Sequence, residues 1–290
     1  MKQTRRNGPV IDQPNGQDRI LSRLYGTAWG RFLLKPLTSP IISKTAGWFL
    51  SRKVSCVFIK SFIRNNNIDM SQFEPVKYRS YNDFFSRKIL PEARPIDGDP
   101  MHLISPCDSK LTVLPITSDS RFTIKHTEYS VASLLKNEDL AEQFNGGYAM
   151  IFRLSVDDYH RYHYVADGTV NAPTRIPGIL HTVNPIANDY FPIYKENSRE
   201  YCILQTKEFG DILIMEVGAL LVGKIVNHNQ PGCVCRGQEK GYFQFGGSTV
   251  VLLIKADSAV IDADILENSA AETETIVRLG EKIGVSSFLD

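Results

Sequence analysis

Three short stretches carry side chains suited to acid, base or nucleophilic chemistry. Ser105-Pro-Cys-Asp108-Ser-Lys puts a carboxylate in a turn at the mouth of a strand. An Asp there commonly bonds its own backbone, which is its plain structural role. Val156-Asp-Asp-Tyr-His160-Arg-Tyr-His163 holds two of the six histidines. Two His three apart can face one way and bind metal, but no third ligand stands at a familiar spacing. The third stretch is Gly246-Gly247-Ser248-Thr249, set between Lys240-Gly-Tyr-Phe-Gln-Phe and Val250-Val-Leu-Leu-Ile254. Glycine adopts backbone angles closed to other residues and admits close approach. Ser248 leaves that kink with its hydroxyl presented. The structural alternative is a hairpin or bulge with an incidental serine.

Taken together these stretches supply Asp108, His160 or His163, and Ser248. Such a set can activate a hydroxyl: the acid orients and charges an imidazole, which takes the serine proton. Geometry, not chain order, defines a triad of this kind. The surroundings are not Gly-x-Ser-x-Gly, which argues against an α/β-hydrolase.

The elements that must position these groups fall into two textures. At 290 residues the chain can bury a full core, and 42% apolar with 22% charged residues is ordinary for a globular protein. From Leu103 onward, short apolar runs (111–114, 149–154, 201–204, 212–217, 222–226, 250–254) are spaced by Gly, Pro, Asn and Asp. This predicts an antiparallel-β-rich core in an α+β fold, not a βαβ series. Internal helices are expected over 131–144 and near 272–283.

The first part of the chain differs. Residues 1–17 read as a flexible tail, and 18–98 as a helical region and connector ending at the prolines Pro91 and Pro95. The catalytic core is then 99–290. Apolar residues recur at helical spacing from Ile20 to Ile63, both tryptophans (Trp29, Trp48) lie there, and basic residues interleave. Residues 1–64 hold twelve Lys or Arg against two acids, although the whole chain carries only +1. Basic amphipathic helices with Trp and Phe suit an anionic membrane surface. A helical cap on the core is the structural alternative. The helices are too apolar for a phosphate-tracking surface, so nucleic acid is not expected. Five scattered cysteines without zinc spacing point to a reducing compartment. Neither a signal peptide nor an 18-residue apolar run is seen.

The motifs also carry a family resemblance. Phe84-Phe-Ser-Arg, Ala93-Arg-Pro-Ile, Ser105-Pro-Cys-Asp108, Asp158-Tyr-His-Arg-Tyr-His163, Val183-Asn-Pro185, Glu216-Val-Gly-Ala, Lys240-Gly-Tyr-Phe and Gly246-Gly-Ser-Thr249 together resemble phosphatidylserine decarboxylase. Many bacterial members read Leu-Gly-Ser-Thr where this chain has Gly-Gly-Ser-Thr, and Gly where it has Ser109. Neither change removes a reactive group.

The resemblance implies a proenzyme that cuts itself between Gly247 and Ser248 into a β chain, 1–247, and an α chain, 248–290. Ser248 becomes a pyruvoyl group. Asp108, His163 and Ser248 would form the self-cleavage triad, with His163 as base. The pyruvoyl would form a Schiff base with phosphatidylserine and release CO2 to give phosphatidylethanolamine, with His160 as proton donor. No metal is implied. A homodimer, peripheral on the cytoplasmic face of the cell membrane, is the expected form. A pyruvoyl decarboxylase of a soluble amino acid, and an unprocessed membrane-associated relative, are the alternatives.

Overall fold

β-Branched and aromatic runs pack well on a pleated surface, and in this chain they become strands wherever turn residues bound them. A computed structural model describes residues 2–6, 8–12, 40–124, 127–179, 193–218, 224–228, 231–244 and 248–288. In chain order it begins with strands β1 (Lys2–Arg5) and β2 (Val10–Asp12). Helix α1 (Pro40–Leu50), a 3-10 turn over Lys53–Phe58, and helices α2 (Ile59–Asn65) and α3 (Tyr81–Phe85) follow. Next come β3 (His102–Ile104), β4 (Ser109–Pro115), β5 (Arg121–Ile124) and β6 (Thr127–Ser130). Short helices α4 (Val131–Leu135) and α5 (Glu138–Glu142) lead to β7 (Tyr148–Leu154).

The central part contains β8 (Arg161–His163), β9 (Gly168–Val170), β10 (Thr174–Ile176), helix α6 (Ile193–Glu196), β11 (Arg199–Gln205) and β12 (Asp211–Gly218). After it come β13 (Ile225–Asn227), β14 (Gly232–Val234), β15 (Glu239–Phe243) and β16 (Ser248–Ile254). β17 (Ala259–Ile261), helix α7 (Ala263–Ala270), β18 (Glu274–Val277) and β19 (Lys282–Ser286) complete it.

One large sheet runs β14-β9-β11-β12-β16-β7-β4-β18-β1-β2, with β10 also on β11. Its pairings are antiparallel except β1 with β18. Smaller sheets β13-β15-β8 and β17-β19-β3, and the hairpin β5-β6, pack around it. The middle strands are apolar on both faces because both faces are covered. On β16, Val250, Leu252 and Ile254 join one core with Tyr162, Phe243, Leu103 and Ile283. Val251 and Leu253 point the other way, against Phe122, Tyr129, Leu134 and Phe144. Every residue of β16 is buried. Each such aliphatic side chain contributes about 1.5–3 kcal/mol of hydrophobic stabilisation.

The β-rich core with few helices matches the expectation, and the expected apolar runs over 111–114, 149–154, 201–204, 212–217 and 250–254 lie on strands β4, β7, β11, β12 and β16. Several local expectations are corrected. Residues 2–5 and 10–12, read as tail, are strands: Gln3, Thr4 and Arg5 pair with β18, and β2 closes the edge beyond them. Arg6 anchors them, its guanidinium meeting Asp262 and Asp264. The expected helix over 131–144 is two, because Lys136 takes the left-handed conformation (φ 55°) and Asn137 caps a new start by accepting from the Leu140 N–H. The expected helix near 272–283 is instead β18 and β19: the β-branched run Thr273 to Val277 has a sheet edge to join, and the helix lies earlier, at α7. The first part of the predicted helical arm, residues 18–39, lies outside the described residues. Beyond it, α1 and α2 are helical.

Candidate active site

Ser248 opens β16, opposite Leu154 on β7 and Gly218 on β12, and is wholly buried. The sheet therefore fixes its backbone on two sides. Phe245, Gly246 and Gly247 lie outside the described residues.

His160 faces it. Its Nδ1 is 3.1 Å from the Ser248 Oγ, and its Nε2 is 2.9 Å from the Ser155 carbonyl oxygen. A carbonyl can only accept, so Nε2 carries the hydrogen and Nδ1 presents its lone pair to the serine hydroxyl. Burial, and then the charge of Arg87, push the His160 pKa down to about 3. The imidazole is therefore neutral at physiological pH, as a proton acceptor must be.

A turn holds this ring in place. The Asp158 carboxylate accepts from the Ser155 backbone N–H at 2.6 Å, and Asp158 N–H donates to the Ser155 carbonyl at 3.0 Å. Lys110, on β4, donates to both Asp158 oxygens at 2.7 and 2.6 Å. Burial raises the Asp158 pKa to about 6, with Lys110 opposing it. Phe85, at the end of α3, covers the other side of the imidazole, with ring centroids 4.1 Å apart.

His163 sits differently. It lies on β8, nearly buried, with its ring stacked on Tyr159 at 6.3 Å. Its Nδ1 is buried and has no hydrogen-bond partner. Burial pushes its pKa down to about 4. Asp108 lies in the turn entering β4. Arg94 Nε reaches its two oxygens at 2.8 and 3.0 Å, Arg94 Nη2 donates at 2.6 Å, and the Leu279 N–H donates at 2.9 Å.

The expected arrangement of Asp108, His163 and Ser248 is thus not a bonded relay in this structure. Ser248 is joined to His160, and Asp108 to Arg94. The carboxylate follows the guanidinium because a planar fork satisfies both its oxygens, which an imidazole cannot do.

Sequence reasoning did not assign roles to Arg94, Lys110, Asp158, Ser155 or Phe85. Arg94 and Phe85 lie within motifs noted above, so a signal existed. Ser155 acts through its carbonyl, which no residue type announces. Lys240 of the aromatic strand points into the core, 2.8 Å from Glu216, and neither side chain is exposed. Among the described residues no three His, Cys, Asp or Glu side chains converge as a metal site would require.

Chemically, a buried serine hydroxyl faces a neutral imidazole whose tautomer is fixed and whose far side is dry. That arrangement can deprotonate Ser248 and return a proton at the same place.

Comparison with known proteins finds one family over most of the chain. The family described as phosphatidylserine decarboxylase matches residues 81–285. "Phosphatidylserine decarboxylase proenzyme 2" of Clostridium acetobutylicum is 48% identical over 271 residues, covering 93% of this chain and 92% of that protein. The "phosphatidylserine decarboxylase proenzyme" of Clostridium tetani is 41% identical over 281 residues, 94% of each. The one from Clostridium novyi is 40% identical over 273 residues, 92% of each.

Proposed function

The chain belongs to the phosphatidylserine decarboxylase family, and from that premise we propose that it converts phosphatidylserine to phosphatidylethanolamine and CO2 after cutting its own backbone ahead of Ser248. The observation that carries this reading is the 3.1 Å contact between His160 Nδ1 and Ser248 Oγ.

In the uncut chain, His160 Nδ1 takes the hydroxyl proton as Ser248 Oγ attacks the Gly247 carbonyl carbon. The Gly247–Ser248 amide becomes an ester. Elimination then breaks the Cβ–Oγ bond and leaves Gly247 as a carboxylate. Hydrolysis with loss of ammonia turns what was Ser248 into a pyruvoyl group at the head of residues 248–290.

The site fits that group, since it is built from atoms of a buried residue already flanked by the imidazole and a sheet strand. Its ketone supplies an electron sink for the charge left when a carboxyl group departs. His160 then holds and delivers the proton that replaces the carboxyl. Phe85 and the Ser155–Asp158 turn keep the ring aimed.

A second assignment has one observation behind it. The unpartnered Nδ1 of His163 leaves that ring free to serve as base with Asp108 nearby, as the family resemblance suggested. Under that assignment His163 drives cleavage and His160 serves decarboxylation.

The lipid substrate gives a role to Trp48, Phe49, Val54, Val57 and Phe58, all exposed beside Arg52, Lys53 and Lys60. This ridge suits the head-group layer of an anionic membrane. No described helix is long and apolar enough to cross a membrane. All five cysteines are free thiols, in keeping with a cytoplasmic face. A homodimer completes the reading, and sedimentation of the purified protein tests it.

The decisive experiment is intact mass together with CO2 release. Purified protein should give two chains, the smaller beginning at residue 248 with a blocked N-terminus, and should release CO2 from phosphatidylserine vesicles. One uncut chain that still decarboxylates the lipid would overturn the mechanism. CO2 release from free serine but not from vesicles would overturn the substrate.

A further inference from the structure

A buried cation beside the site has no counter-charge. Arg87 follows α3 and is 2% exposed. None of its Nε, Nη1 and Nη2 atoms has a hydrogen-bond partner. Its guanidinium lies over the rings of Phe73 and Phe84, at 4.3 and 4.9 Å. Tyr78 packs edge-on against the same Phe84 ring at 5.3 Å, and its buried hydroxyl also has no partner. The carboxylate whose charge bears on Arg87 is Asp108, and that group is already taken by the fork of Arg94.

Cation–π contacts offset only part of the cost of stripping water from a guanidinium, and five unmet N–H donors remain. Arg87 stays charged despite burial, which pushes its pKa down only to about 10. Ser86 and Arg87 give their backbone carbonyls to Arg161, so the peptide carrying Arg87 is fixed. The same position sets the distance to the chemistry. Phe85, two residues earlier, rests on His160, and the Arg87 charge is felt at that imidazole.

We propose that Arg87, with the Tyr78 hydroxyl, is the receptor for the phosphodiester of the lipid head group, placing the substrate amine and carboxyl group at Ser248 and His160. This rests on the decarboxylase reading above. A guanidinium fork matches two phosphate oxygens, and the phenol supplies a further donor. The phosphodiester is preferred over the carboxylate on energetic grounds. The carboxylate loses its charge as CO2 departs, so pairing it with a cation would stabilise the substrate more than the transition state and slow the reaction. The phosphodiester keeps its charge from substrate to product. Its binding is uniform and shows in KM. An anion on Arg87 also offsets the positive charge that depresses His160, which helps that imidazole to carry a proton.

The test uses full-length protein and two variants. Arg87→Met keeps similar length without charge, and Tyr78→Phe removes one hydroxyl. Both should still yield the two chains. Arg87→Met should raise KM for phosphatidylserine vesicles on the order of 10- to 100-fold, the value of a charge-assisted pair, with kcat changed far less. Tyr78→Phe should raise KM a few-fold. Independently of turnover, glycerophosphoethanolamine, a phosphodiester with no carboxylate, should raise the melting temperature of the wild type but not of Arg87→Met. An unchanged KM in a cleaved Arg87→Met overturns the inference while leaving the decarboxylase reading intact. So does protection by glycerophosphoserine without protection by glycerophosphoethanolamine. If Arg87→Met fails to fold, Tyr78→Phe with an unshifted KM and a wild type unprotected by the phosphodiester overturn it. If the wild type releases no CO2, the decarboxylase reading falls by itself, and phosphodiester protection still decides the receptor.

Discussion

Acid should weaken this fold through the two site histidines, by an amount the structure allows to be worked out. An unfolded histidine titrates near 6.5, whereas burial holds His160 at about 3 and His163 at about 4. A group with a depressed folded pKa of this kind is neutral in the folded chain while the unfolded chain takes up a proton. Its stabilising share is therefore present above about pH 6.5 and is lost as pH falls from there toward the folded values. Between about pH 7.5 and about pH 5, each histidine should cost about 2 kcal/mol, taking about 1.36 kcal/mol per pKa unit. Asp158 works in the opposite sense. Its folded pKa of about 6 lies above its ordinary 3.8, so the folded chain holds a proton that the unfolded chain releases. Lowering pH to about 5 returns about 1.4 kcal/mol through that group.

The net expectation is a loss of about 3 kcal/mol, a large share of the 5–15 kcal/mol typical of a folded protein. Ser248→Ala supplies a single covalent species for the measurement, by urea unfolding at the two pH values. In the same background, His160→Gln with His163→Gln should abolish the loss and leave the small opposing effect of Asp158. Equal stability at both pH values, or imidazole NMR signals that titrate near 6.5 in the folded chain, would refute the argument.

Other perturbations have equally definite outcomes. Ser248→Ala should remain one chain on a denaturing gel; a cut at the same bond would mean that another group is the nucleophile. His160→Gln should block cleavage if it is the base, whereas blockage by His163→Gln with His160→Gln still cut would establish the second assignment. Glu274→Ala leaves Arg153, whose Nε donates to Glu274 at 2.7 Å, buried without its carboxylate, and should cost about 3–5 kcal/mol by chemical denaturation. Gly241→Ala would drive a methyl group into the Val226 carbonyl and to 2.7 Å from the Tyr162 hydroxyl, so its melting temperature should fall sharply. Replacing Trp48, Val57 and Phe58 together by Ser should reduce co-sedimentation with anionic vesicles while leaving the melting temperature within a few degrees, because these side chains are exposed.

The sequence was readable where one residue type has one physical use. Val250 to Ile254, a β-branched and apolar run, reads as a strand and is one. It was less readable where the partner lies far along the chain. Lys2 to Arg5 is polar, and nothing local reveals that Glu274 to Val277 offers it an edge. Glu272 to Thr275 alternates acids with β-branched residues, a pattern that suits helix or strand until a neighbouring strand decides. The histidine pair shows the same limit. Asp108, His160, His163 and Ser248 were singled out from the sequence, but the bonding among them depends on Arg94 and on the Ser155 carbonyl. Arg94 comes from another motif, and the carbonyl belongs to backbone that any residue would supply.

The strands of residues 248–290 are threaded through the body of the protein. β16 is hydrogen-bonded over seven positions to β12 on one side and to β7 on the other, and β18 is clasped between β4 and β1. A nick ahead of Ser248 therefore frees an end without freeing a fragment. The two pieces would travel as one particle through gel filtration and part only in denaturant. Once unfolded they could not rejoin through the original peptide link, so each molecule would make its reactive end a single time and carry it for life.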